Sequence, residues 1–558
     1  MRRIRLQVAI ALFSILLLVA AMGYVVINLA TVVVPDYGGT YVEGVAGNPR
    51  VINPIFCQSN PVDQDLVALL FEGLTAVTDR GEIVPALAER WEISIDGTAY
   101  TFYLRQGVLW HDGAPFTAAD VVYTVSAIQV PGYQGSPALA ELWRTVVVEQ
   151  LDTYTVRFRL REPFAPFMDY TTIGVLPSHV LMGLSTQALA ESMFNAAPIG
   201  TGPFRVDEVT AQRIVLVANM QYYRARPYLD RLEFIFYPSY QEVYQARQRR
   251  EIDGVARVLP EHLQAVRADE TLTLYSAPLS GQVMVALNLD RGIFQDRAVR
   301  QALMWALDRQ RLVDLVLAGQ GAVLHSPILP NSWAYDPTVP RYERDVRKAI
   351  QTLEEAGWFD DDRDGVRERG PLKLHFSLAT NQDDPVRVRL IQEISQQLAE
   401  VGIRAEPDLV EWETLVSERL RLRRFDAALI SFQELTPDPD PYPYWHSSQA
   451  NEGGLNLANY VDEEADGLLE VARATYGREQ RLDLYRRFQF LFAQKVPALL
   501  LYQPVYNYAV DAEVRGVQVG PMISSSDRFR TISSWHVATQ RVLYSEARDR
   551  GLVAPPPK

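Results

Sequence analysis

The chain opens Met-Arg-Arg-Ile-Arg and then carries no charged residue from Leu6 to Val34, where Pro35-Asp36 closes the run. A helix rising about 1.5 Å per residue needs about 20 apolar residues to cross a bilayer, and this run is long enough. Arg2, Arg3 and Arg5 precede it, so the N-terminus is expected in the cytoplasm and everything after the run outside. Two readings stay open, an uncleaved transmembrane anchor and a cleaved signal peptide. Signal peptides usually carry an apolar region of about 7–15 residues, which favours the anchor here. Cutting at Val19-Ala20-Ala21 would leave a second apolar stretch, Met22 to Val34, at the new terminus. A lipoprotein needs a cysteine directly after the apolar region, and Cys57 lies too far along. No later segment stays apolar for about 18 residues, which excludes a multi-span transporter.

The body is expected to start near Tyr37. Hydrophobic residues make up 48% of the chain and charged residues 22%, a balance that argues against bulk disorder. The net charge of −14 disfavours nucleic acid as a main partner, because phosphate binding needs clustered Lys and Arg, and no nucleic-acid partner is expected. Cys57 is the single cysteine, so disulfide frameworks, Cys-based zinc sites and iron–sulfur clusters are excluded. Strand-like alternation marks Trp91 to Ile93, Tyr100 to Leu104, Thr155 to Leu160, Arg213 to Ala218 and Arg231 to Tyr237. Helical periodicity marks Val62 to Leu70, Ala118 to Ile128, Asp296 to Leu317, Val346 to Ala356, Pro385 to Val401 and Arg478 to Gln494. Thr117 with Asp120 has the spacing of a capping box. The pattern predicts a mixed α/β body with no long internal linker.

Catalytic signatures are missing. The sequence contains no Gly-x-Ser-x-Gly, His-Glu-x-x-His or Gly-x-x-x-x-Gly-Lys. Gly200-Thr201-Gly202 lacks a third glycine and runs into Pro203, which rules out a dinucleotide loop. The seven histidines are scattered, and no pair has helical ligand spacing. No catalytic residue, cofactor or metal ligand is therefore expected. Asp360-Asp361-Asp362-Arg363-Asp364-Gly365 matches the opening of a calcium loop, but Pro371 stands where its closing Glu belongs. A solvated acidic turn is the plainer reading.

From Ile83 to Val122 the sequence reads IVPALAERWEISIDGTAYTFYLRQGVLWHDGAPFTAADVV. This stretch resembles the signature of the family 5 extracellular solute-binding proteins, the dipeptide, oligopeptide and nickel receptors of ABC importers. Further blocks follow in family order: Phe71-Glu72-Gly73-Leu74, Pro198 to Phe204, Pro227 to Asp230, Val299 to Leu303, Glu355 to Trp358 and Asp438-Pro439-Asp440-Pro441-Tyr442. The resemblance spans about residues 38 to 510. It implies a two-lobe, Venus-flytrap fold of the periplasmic-binding-protein type with an extra subdomain. The expected division is an N-terminal segment 1–35, lobe I 36–278 with its subdomain at about 76–198, lobe II 279–502, and a C-terminal return to lobe I over 503–558. It also implies a monomeric receptor at the extracytoplasmic face of the membrane that binds an oligopeptide-like solute and hands it to ABC permease subunits. A non-peptide solute (a sugar oligomer or nickel chelate), or a tethered sensory module without a permease, is the alternative.

In peptide-binding members an aromatic residue of the second lobe is followed three residues later by an Asp that pairs with the peptide's amino terminus. Here Phe432 stands at the aromatic position, and Leu435 at that of the Asp. Glu434 is the adjacent carboxylate. Phe432, Glu434, Asp438, Trp445, Phe56, Tyr502 and Tyr506 are the candidate ligand-binding residues, because such sites combine aromatic walls with a few charged anchors.

Overall fold

The computed structural model of the chain describes residues 12–19, 21–22, 30–78, 81–433 and 438–552. Of the expected membrane span, residues 12–19 are helical, with Leu12, Phe13, Leu16 and Leu18 exposed. Much of the rest lies outside the described residues. Among the described residues no helix is long and apolar enough to cross a membrane. The end of the run corrects the expectation. Thr31–Pro35 is a strand, antiparallel to Thr539–Leu543, and Val34 packs with Val542 and Ala547. A run of β-branched residues favours extended backbone once a partner strand is present. The folded body thus begins by Thr31 rather than at Tyr37, and its two ends are tied together.

A twelve-stranded sheet runs through the body. At one end lie Phe204–Val209, Arg213–Ala218, Arg231–Tyr237 and Thr40–Ala46. At the other lie Arg404–Val410, His375–Asn381, Ala427–Gln433 and Gly281–Leu287. The long strand Ala498–Asp511 joins them. Its first residues pair with Gly281–Leu287, and its later ones pair with Leu272–Pro278 and Gly254–Val255. Each end carries its own apolar core. The first gathers around Phe102, Trp110 and Trp535, the second around Phe294, Trp358 and Leu390. Two cores on one strand crossing define a two-lobe α/β protein. A separate four-stranded sheet, in the order Ala88–Ile93, Ala99–Leu104, Thr155–Arg159, Val147–Asp152, packs into the first core.

The strands form where their pattern predicts. Arg213–Ala218 and Arg231–Tyr237 are antiparallel neighbours; the second buries Leu232 and Phe234 on one face, and the first buries Ile214, Val215 and Leu216 in succession. The Thr117–Asp120 capping box forms, with Thr117 N–H donating to Asp120 at 2.9 Å. One predicted helix divides. Asp296 to Leu317 becomes Arg297–Ala306 and Arg309–Leu317, because Leu307 is extended and Asp308 caps the second helix through Arg311 N–H.

Candidate functional site

Two short connections join the lobes, between Pro278 and Gly281 and along Tyr502 to Val505. A third segment braces them: Ser280 N–H donates to the Met522 carbonyl at 2.6 Å, and Met522 N–H to Pro278 at 3.0 Å. Gln503 donates to the carbonyl of Leu279 and to Asn331. The strand pairing slips by a residue between Val283 and Met284, which gives the crossing an irregular register.

Beside this crossing lies a cavity of about 150 Å³. Glu82, Ile523 and Arg530 line it from the first lobe, and Asn331, Trp333 and Arg478 from the second. Ser280 sits at the junction. A smaller void of about 20 Å³, beside Arg309 and His325, lies within the second lobe and does not touch the cleft. Clefts between domains are favoured places for ligand sites.

The lobes meet across the cleft through a charged cluster. The Asp438 carboxylate takes two hydrogen bonds from Arg481, at 2.6 and 2.7 Å, and one from the Trp333 indole at 3.3 Å. Its own backbone N–H donates to Asp169 of the first lobe at 2.9 Å. Burial pushes the Asp169 carboxyl up to about 7, and the neighbouring Asp438 carboxylate adds to the rise. Nearby, Ala165 N–H donates to the Arg473 carbonyl at 3.0 Å. The Arg473 guanidinium pairs with Asp440 at 2.9 Å and lies over the rings of Phe164 and Tyr442. Each of these inter-lobe bonds requires the lobes to be together.

The residues singled out from sequence go to different places. Asp438 is in the inter-lobe cluster. Phe432 is half-buried, its ring 4.5 Å from that of Tyr444. Glu434 and Leu435 lie outside the described residues. Phe56 is half-buried against Tyr133, with ring centroids 5.7 Å apart. Trp445 is only 3% exposed and stands edge-on to Phe492 inside the second lobe. Tyr502 is buried at the crossing, opposite Val283 and Val323. Tyr506 is buried in the first lobe, its hydroxyl donating to the Ala256 carbonyl. Sequence reasoning missed Asp169, Trp333, Arg478, Arg481 and Arg530. Arg478 and Arg481 recur at helical spacing after Gly477, but nothing local tells that face from a solvated one. In the acidic turn, oxygens of Asp360, Asp362 and Glu368 lie within 4.8 Å of one another. Lys373 Nζ bridges Asp362 and Asp364 there, at 2.7 and 2.5 Å.

A body of two lobes, crossed by paired strands and holding a cavity at the crossing, defines a cleft-type binding protein. The model of the bacterial extracellular solute-binding proteins, family 5, middle region, matches residues 82–454. The chain belongs to that family. It is 32% identical over 495 residues to the oligopeptide-binding protein AppA of Bacillus subtilis strain 168, covering 87% of this chain and 90% of that one. The solved structure of AppA from B. subtilis in complex with a nonapeptide superposes with a TM-score of 0.74 at 30% identity, over 90% of this chain and all (100%) of that chain. NikZ from Campylobacter jejuni in complex with Ni(L-His) gives 0.74 at 26% identity, over 89% and 99%.

Proposed function

We propose that the chain is the receptor of an ABC importer, taking an oligopeptide-like solute between its lobes and presenting the closed form to a permease. The observation that carries this is the cluster of bonds from Asp169 and Ala165 to Asp438 and Arg473, made across a cleft that also holds a cavity. A ligand that touches both walls favours the state in which they meet, and so shifts the hinge equilibrium. The likeness to AppA, solved with a nonapeptide, supports peptide as the ligand class. We set the lobe boundaries at 278/279 and 502/503, with the subdomain at about 76–198. The receptor is monomeric and held at the extracytoplasmic face by the apolar residues before Thr31.

A second reading has its own support. Leu435 stands where peptide-binding members carry the Asp for the amino terminus, and NikZ was solved with a nickel–histidine complex. Native mass spectrometry of the full chain, purified gently from its own host, separates the two. Release of a peptide ladder supports the first reading; a metal chelate or sugar in its place overturns it in favour of the second. Intact mass of the same sample tests the anchor, because loss of the N-terminal residues would mean a cleaved signal.

A further inference from the structure

The two ends of the chain meet in a ribbon that stands apart from both lobe cores. Thr31–Pro35 and Thr539–Leu543 pair antiparallel in a sheet of their own. Two strands alone are marginal in water and need a cover. One face has its cover: Val34 and Val542 are buried with Ala547 of the helix Tyr544–Asp549, and Val32 and Leu552 pack around them. The other face carries Thr31, Val33 and Pro35 opposite Leu543, Arg541 and Thr539. Val33 is 47% exposed and Leu543 54%, and Arg541 and Thr539 are exposed as well. This outward face has no carboxylate, although the chain carries a net charge of −14.

The chain before the ribbon says what covers that face. No charged residue separates Leu6 from the strand that starts at Thr31. As a helical anchor, Leu6 to Ala30 measures about 37 Å at about 1.5 Å per residue, against about 30 Å of hydrocarbon. The surplus is about the depth of one headgroup layer, so Thr31 emerges at the lipid surface. The outward face suits that level. Val33 and Leu543 offer apolar contact, and an arginine there can keep its head among phosphates while its stem lies on apolar surface. Tyr544, exposed next to Leu543, is of a type enriched at membrane interfaces. The ribbon is also held to the first lobe. Gly38 N–H donates to the Tyr228 carbonyl at 2.8 Å, and the Tyr37 ring stacks on that of Tyr228 at 5.1 Å.

Resting on the anchor reading above, we propose that this ribbon lies flat on the lipid headgroups, with Val33, Leu543 and Arg541 against the bilayer. The membrane is then the missing cover. It holds the first lobe in one orientation and leaves the second lobe to swing as the cleft closes.

The test uses the full chain in vesicles of equal parts phosphatidylcholine and phosphatidylglycerol. Leu543→Cys and Thr539→Cys each carry a fluorophore, at the two ends of the outward face and about 13 Å apart along the strand. Cys57 is buried and stays unlabelled. Val461→Cys, at an exposed position of the second lobe, is the control. Spin-labelled headgroups quench a dye at the lipid surface, and iodide quenches one in water. The proposal expects headgroup quenching at 543 and 539 and none at 461. Adding Leu543→Asp to the Thr539→Cys chain should weaken the quenching at 539. Headgroup quenching at 543 alone means an upright ribbon and overturns the proposal. So does quenching of both ribbon dyes by iodide only, quenching at 461 as well, or no effect of Leu543→Asp. Shielding from both quenchers assigns the cover to protein, such as a second copy, and overturns it too. Intact mass of the same sample separates the two readings. Loss of the N-terminal residues overturns the anchor and the ribbon contact together, whereas an intact chain with any of the contrary patterns overturns the ribbon contact alone.

Discussion

Arg528 and Arg481 are both buried guanidiniums bonded twice to an aspartate, yet they stabilise different things. Arg528 is 0% exposed. It holds Asp65 at 2.7 and 2.6 Å and Glu43 at 3.1 Å, while the hydroxyls of Tyr41 and Tyr508 donate to Glu43. This cluster is internal to the first lobe. It ties the strand Thr40–Ala46, the helix Pro61–Leu70 and the turn Ser525–Phe529 into one core. The backbone closes over it so tightly that a Cβ at Gly254 would collide with Tyr41 Oη and Glu43 Oε2. Arg481 is 2% exposed and holds Asp438 with the same two-bond geometry, but the Asp438 backbone bonds Asp169 of the opposite lobe. The first cluster exists whenever the first lobe is folded. The second has an inter-lobe bond that exists only while the lobes are closed. Identical chemistry serves folding in one place and conformation in the other, according to whether all partners belong to one core.

The sharpest way to break that comparison is Arg528→Met. It strands two buried carboxylates, and removing one partner of a buried ion pair costs about 3–5 kcal/mol. Urea unfolding is expected to show that full loss, with no change in hinge equilibrium; a loss below about 1 kcal/mol would mean the cluster is not the staple described.

Arg481→Met is expected to cost less, about 2 kcal/mol, because Asp438 is partly solvated and keeps its indole donor. It also moves the hinge, so small-angle scattering should report a more open molecule. A variant that unfolds earlier yet closes normally would assign Arg481 to the second-lobe core alone.

Asp169 is expected to act on closure with little effect on unfolding. Losing its bond in Asp169→Ala costs the closed state about 1.5 kcal/mol. In the closed form its carboxyl sits up at about 7, with Asp438, Arg481 and Arg478 as its charged neighbours. In an open form facing water it returns to about 3.9. The closed form therefore binds the proton more tightly. Its advantage is complete below about pH 4 and is lost as the pH rises through about 7. Scattering across that range should show progressive opening, and Asp169→Asn should flatten the curve. An unchanged slope in the variant removes Asp169 as its cause.

Trp333→Phe is the finest probe. It deletes one indole donor to Asp438, worth about 0.5–1 kcal/mol, and keeps an aromatic ring beneath Arg478 and Arg481. Calorimetric melting should register a shift of a few degrees or less.

How much of this was legible depended on whether the signal was local. Arg231–Tyr237 alternates at its start because Leu232 and Phe234 share one inward face, and the pattern reveals it. Gly281–Leu287 is buried at every position, so it shows no alternation and escapes such a reading. The apolar run pointed to a long helix reaching Val34. The partner strand Thr539–Leu543, at the opposite end of the chain, made its last residues extended. At the cleft, Asp438 was reachable through the family's acidic turn. Asp169 and Arg478 were not, since each is an ordinary polar residue until the fold sets it against the other lobe.

The sequence alone determined the family, the two-lobe class, the absence of enzyme signatures and most of the regular elements, because these rest on blocks and periodicities that short stretches carry. Only the tertiary structure decided which of two similar guanidinium–carboxylate pairs lies inside a lobe and which faces the cleft. Those properties are set by residues hundreds of positions apart, from Glu43 to Arg528 and from Asp169 to Asp438. Burial and pairing, which fix the energy of a charge, come into existence only when such residues meet.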